Sequence, residues 1–214
     1  MNNFLISSLV FVSLTFDGGL KTKGVKICCG GSHANNNMVT LLPVENVLGP
    51  ALQFRSFLGR TELATDRLPL NKDLIFSWSL FVSQSSESFV ISQIIGWQPP
   101  CFFGGNYQFI IDGSALYIAV KNIEGVDPAP MLLRNIEMGE WFNIKVAAMF
   151  SEASGYFIVT VGNDTVTTTF NVIEKGKRTF IDCPLGPYFK AGIYGEAKGV
   201  SVYLNELEIK SRYE

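Results

Sequence analysis

The sequence predicts an all-β protein, a sandwich or jelly roll of two stacked antiparallel sheets. Three observations carry this reading. The 214 residues include 17 Phe, 7 Tyr and 3 Trp, and aromatic side chains favour strands. The 20 Gly and 9 Pro supply turns. No segment holds a helical period over three turns, whereas short alternating runs between turn signals recur along the chain.

The elements follow in order. Residues 1–14 are apolar, but no Lys or Arg precedes the apolar run, and Ser13-Leu14-Thr15 makes a poor cleavage site for a signal peptide. A first strand over Val10–Phe16 is favoured instead. It ends at the turn Asp17-Gly18-Gly19 and is expected beside the last strand. Short strands are expected at Met38–Leu42, Ala51–Arg55 and Arg60–Ala64, and longer ones at Asp73–Ser83 and Ser88–Trp97. Tyr107–Ile111 and Ala115–Lys121 flank Asp112-Gly113, a tight hairpin signal. Trp141–Met149 follows Gly139-Glu140. Tyr156–Val161 and Thr165–Phe170 flank Gly162-Asn163-Asp164, a second hairpin. Tyr188–Tyr194 and Val200–Lys210 close the series. About a dozen strands at this spacing suit a sandwich or jelly roll. No linker or repeat interrupts them, so residues 1–214 read as one domain.

Composition narrows the function classes. Hydrophobic residues make up 47% and charged residues 17%, which excludes intrinsic disorder. A net charge of −2 provides no basic field for general nucleic-acid binding. No apolar stretch approaches the roughly 20 residues that span a bilayer as a helix. With one histidine and no CxxC pair among Cys28, Cys29, Cys101 and Cys183, neither a zinc site nor a disulfide framework is expected. Adjacent Cys28 and Cys29 are not expected to bond to each other.

Three segments place polar side chains where an apolar strand face is expected. In Arg60-Thr61-Glu62-Leu63, period two puts Arg60 and Glu62 on one face. The bland account is an exposed ion pair on an edge strand. In Ile91-Ser92-Gln93-Ile94-Ile95-Gly96-Trp97, Gln93 shares a face with Ile91, Ile95 and Trp97 by the same period. A buried Gln needs partners; one on a concave sheet can meet a ligand. From Tyr188 to Glu196, Tyr188, Lys190, Gly192, Tyr194 and Glu196 alternate with Phe189, Ala191 and Ile193. One face is core. The other carries two phenols, an ammonium and a carboxylate, a set suited to sugar contact.

Together these segments resemble the alginate-lyase type of polysaccharide lyase, and the heparin-lyase and glucuronan-lyase branches. Arg60-Thr61-Glu62-Leu63 resembles the R-(S/T)-E-L element, Gln93-Ile94-Ile95 the Q-(I/V)-H element, and Tyr188-Phe189-Lys190-Ala191-Gly192-Ile193-Tyr194 the Y-F-K-A-G-x-Y element, in the family's order. The resemblance implies a concanavalin-like β-jelly roll. It also implies β-elimination on an acidic, uronate-containing polysaccharide, without a cofactor. Gln93 and Arg60 would face the uronate carboxylate. Tyr194 would serve as base and acid, and the charge of Lys190 would favour the ionised phenol. Tyr188, Glu62 and Trp97 would contact substrate.

Three positions depart from the family. Ile95 replaces its histidine, Ala64 stands where a second arginine is frequent, and Glu196 replaces a closing glutamine. His33, the single histidine, is the candidate substitute for the missing base. The competing reading is a non-catalytic glycan-binding or virion-surface jelly roll. Either role places the protein outside cells or on a virion; a viral protein would reach outside glycans by host lysis without a signal peptide.

Overall fold

The computed structural model describes residues 26–28, 38–43, 50–56, 61–65, 67–83, 85–96, 106–121, 128–163, 165–180, 184–195, 197 and 199–211. In chain order the strands are β1 (Lys26–Cys28), β2 (Met38–Pro43), β3 (Pro50–Ser56), β4 (Thr61–Ala64), β5 (Asp73–Val82), β6 (Phe89–Ile95), β7 (Asn106–Asp112), β8 (Ala115–Lys121), β9 (Met131–Asn135), β10 (Trp141–Met149), β11 (Gly155–Gly162), β12 (Thr167–Lys177), β13 (Tyr188–Tyr194) and β14 (Val200–Ser211). They form two antiparallel seven-stranded sheets. The front sheet runs β1-β4-β13-β6-β7-β8-β9 and the back sheet β12-β11-β10-β5-β14-β3-β2. The all-β jelly roll expected from the sequence is the fold observed. Among the described residues no helix is long and apolar enough to cross a membrane.

Alternation explains the back sheet. Along β5, Leu74, Phe76, Trp78, Leu80 and Val82 are buried, while the residues between them are partly exposed. On β10, Phe142, Ile144, Val146 and Ala148 point the same way. The apolar layer between the sheets is largely aromatic. Trp78 packs on Phe189 of β13, with centroids 5.1 Å apart, and edge-on against Phe109 of β7 at 5.4 Å. Tyr107 of β7 stacks on Phe157 of β11 at 4.0 Å and 5°. These contacts fix the core side of β13 and β7, and so orient the residues that alternate with them.

Both predicted hairpins form. Asp112 pairs with Ala115 around Gly113, whose φ of 57° is the left-handed conformation that glycine adopts without a side-chain clash. Gly162 pairs with Thr167, and Asn163 Oδ1 accepts from the amides of Thr165 and Val166. Two elements were not foreseen, β1 and β9. Strand β12 runs to Lys177, beyond the expected Phe170, because an exposed edge strand tolerates Glu174, Lys175 and Lys177. The expected strand at residues 10–16 lies outside the described residues. Strand β14 pairs with β5 on one side and, over Val200–Leu204, with β3 on the other. Cys29, Cys101, Cys183 and the side chain of Cys28 also lie outside the described residues.

Candidate functional site

The outward face of the front sheet carries the polar segments. Strand register places them in rows. Ala64 of β4 lies opposite Lys190 of β13, Lys190 opposite Gln93 of β6, and Gln93 opposite Gln108 of β7. In the neighbouring row, Tyr188, Ile95 and Asn106 face one another. Glu62 pairs with Gly192, and Tyr194 with Val90. Strands far apart in sequence thus bring Glu62, Gln93 and Lys190 together.

A β-bulge sets the orientation of Gln93. The β6–β7 register shifts between Val90 and Ser92, so Ile91 and Ile94 both enter the core. Gln93 therefore faces away from the core and opposite in sense to Ile91. This corrects the expectation that the two share a face. Simple alternation fails because the extra residue of a bulge reverses the parity of everything after it. A second register shift, between Ala191 and Tyr194, accompanies a φ of 140° at Gly192, a conformation suited to glycine.

Glu62, Gln93 and Lys190 form a buried network. Gln93 Nε2 donates to Glu62 Oε1 at 2.7 Å, and Lys190 Nζ lies 3.8 Å from Glu62 Oε2. Glu62 and Gln93 are each 2% exposed and Lys190 is 4% exposed. Gly192 separates Glu62 from β6 without a side chain of its own. Glu62 is not on an exposed edge strand: β4 lies between β1 and β13, and Glu62 is buried. A charge so buried is retained where a partner and hydrogen bonds compensate it, and this carboxylate has both.

Tyr188 is buried under two cations. Arg67 lies 4.7 Å and Lys190 5.2 Å from its ring centroid, and Arg67 Nη1 donates to the Gly186 carbonyl at 2.7 Å. Burial lowers the Arg67 pKa below its usual range, and Tyr188 partly opposes that shift. The Tyr188 ring, expected to contact substrate, is held between these cations and the rest of the sheet face. Glu62, also expected to contact substrate, engages Lys190 and Gln93 within the protein. Tyr194 differs. It ends β13 and is 40% exposed, four positions along the strand from Lys190, or roughly 13 Å of chain. The ammonium of Lys190 is engaged with Glu62 at this end of the network. Arg60, Trp97, His33 and Glu196 lie outside the described residues.

Two side chains on this face escaped the sequence reading. Asn106 and Gln108 are buried at 9% and 8% exposure, and Asn106 Oδ1 has no hydrogen-bond partner among the described residues. Their signal was visible: in Asn106-Tyr107-Gln108-Phe109 the amides alternate with core aromatics, as Gln93 does with Ile94.

No protein-family profile matches the chain, and no curated protein matches it. Solved structures do. A family 7 alginate lyase is 17% identical, with 75% of this chain and 79% of that chain covered and a TM-score of 0.53. The fold is that of the family 7 alginate lyases. A protein of unknown function from Shewanella oneidensis has a TM-score of 0.53 at 10% identity, covering 86% of this chain and 79% of its own. The binding domain of botulinum neurotoxin DC, solved in complex with SialylT, reaches 0.55 at 11% identity, covering 89% of this chain and 43% of that one. At these identities the shared property is the fold, which hosts both lyases and a binding domain.

Proposed function

We propose that this protein cleaves an acidic, uronate-containing glycan by β-elimination at the outward face of the front sheet. The observation that carries the reading is Tyr194. It is an exposed phenol at the end of the strand that holds the buried Lys190–Glu62–Gln93 network, on the fold of the alginate lyases. Tyr194 as phenolate takes the proton from C5 of the uronate. The electron pair forms the C4–C5 double bond, the C4–O bond breaks, and the same phenol returns its proton to the leaving oxygen. With Ile95 at the family's histidine position, one tyrosine carries both transfers unless His33 supplies the base. Neutralising the carboxylate falls to Arg60 and to the second N–H of Gln93, since its first is given to Glu62.

A second reading is favoured by that same network: Gln93 and Lys190 both engage Glu62, and Ile95 cannot move a proton, as in a glycan-binding module without turnover. One experiment separates the two. The protein is incubated with alginate, glucuronan, heparin-type and hyaluronan-type polymers, and the unsaturated product is followed by its ultraviolet absorbance. Absorbance growth on one of them supports the lyase. Affinity without product on every polymer overturns it and leaves the binding module.

A further inference from the structure

The outward face of the back sheet holds a second arrangement, independent of the front-sheet site. Register places three rows across β10, β5 and β14. Trp141, Phe81 and Tyr203 face one another; Asn143, Ser79 and Asn205 form the next row; Lys145, Ser77 and Glu208 the third. The aromatic row is contiguous, with centroids 5.6 Å apart from Trp141 to Phe81 and 5.4 Å from Phe81 to Tyr203. Gln53 Nε2 donates to the Tyr203 hydroxyl at 2.6 Å and fixes that phenol. All three rings are partly exposed, although the core needs none of them.

Ser77, Ser79, Asn143, Lys145 and Glu208 of these rows line a depression of about 510 Å³. A bulge between Asn205 and Glu208 shapes one wall. There Glu206 adopts a φ of 52°, while Leu207 turns into the core. A left-handed non-glycine residue is strained and persists where its surroundings hold it. The bulge brings Glu206 Oε2 to 3.3 Å from Ser79 Oγ, which also lies 2.7 Å from Asn143 Oδ1. Ser79 has one proton for these two acceptors. The cluster is rich in acceptors and is matched by a ligand that brings hydroxyl donors. Charge points the same way: Glu206 and Glu208 are balanced by Lys145 and Lys210, the last 2.9 Å from Glu208, so no field attracts a polyanion.

From these rows we infer that the back sheet is a second binding surface, for an uncharged hexopyranose glycan. The aromatic row meets the apolar C–H faces of the sugar, and the Ser79–Asn143–Glu206 cluster meets its hydroxyls. Calorimetric titration with cellohexaose, laminarihexaose, mannohexaose and a mannuronate hexamer tests this, with circular dichroism confirming the fold of each variant. At least one neutral hexamer binds saturably. Asn143→Ala and Trp141→Ala each weaken that binding about tenfold, and Tyr194→Phe on the opposite face leaves it unchanged. The inference falls if no neutral hexamer binds at millimolar concentration. It falls equally if binding survives both back-sheet substitutions, or if the mannuronate hexamer competes for this face as well as the neutral one. None of these results bears on turnover at the front sheet.

Discussion

Replacing Lys190 with Met keeps the length and apolar stem of the side chain and removes its charge. In the wild type the ammonium is 4% exposed and lies 3.8 Å from a carboxylate that is 2% exposed. Removing one member of a buried ion pair costs about 3–5 kcal/mol, because the other charge stays in low dielectric. At 3.8 Å the pair is long for an ion pair, and the Gln93 amide still donates to Glu62 at 2.7 Å, so the low end, about 3 kcal/mol, is expected. Glu62→Gln alone removes the carboxylate beside the buried ammonium and costs a similar amount. The double variant removes both charges and is expected within about 1–2 kcal/mol of the wild type, far from the sum of the singles. Urea unfolding of the four proteins gives each free energy by linear extrapolation, with Tm as a check. Single losses below about 1 kcal/mol, or strictly additive losses, would refute the claim that the network is a coupled, desolvated unit.

Three further outcomes follow from the same structure. Tyr194→Phe lowers turnover on the preferred uronate polymer by about 10²–10⁴-fold, as loss of a general acid–base group does. Binding is expected to be retained, and unchanged product formation rules Tyr194 out. Burial raises the Tyr107 pKa well above 10. The unfolded chain therefore loses this proton first as pH rises. The contribution is intact below about pH 10 and declines above it. Tyr107→Phe removes the hydrogen bond to the Thr179 carbonyl, lowers neutral-pH stability by about 1 kcal/mol, and flattens the alkaline decline in stability measured from pH 9 upward; an unchanged alkaline slope contradicts the assignment. Ser92 buries a hydroxyl with no hydrogen-bond partner among the described residues. Ser92→Ala is expected to stabilise by about 1 kcal/mol, and a fall in Tm would show that the hydroxyl is satisfied.

Local chemistry was legible wherever one face of a strand is buried and the other is not. The alternation of Leu74, Phe76, Trp78, Leu80 and Val82 states the period of β5 outright, and Phe189, Ala191 and Ile193 do the same for β13, whose bounds match the expected ones. Asp112-Gly113 names its own hairpin, because few residues accept a positive φ. Strands β1 and β9 carried no such signal. The first has three residues, and the second, Met-Leu-Leu-Arg-Asn, buries only Leu133.

The sequence alone determined an all-β chain, the core side of β13 and the residue types of the candidate site. Period-two patterning and turn chemistry are local properties and need no knowledge of distant partners. Tertiary structure decided which of those residues meet. Glu62, Lys190 and Gln93 lie on strands ordered β4-β13-β6, an adjacency set by sheet topology and not by position along the chain. It also decided which way they point, since the bulge at Val90–Ser92 reverses the side of Gln93 relative to Ile91. Likewise, Trp141, Phe81 and Tyr203 read as separate aromatics until hydrogen-bond register aligns them in one row. The reason is the same in each case: register and bulges are chosen by the packing of two sheets against each other, and that packing energy is spread over residues far apart in sequence.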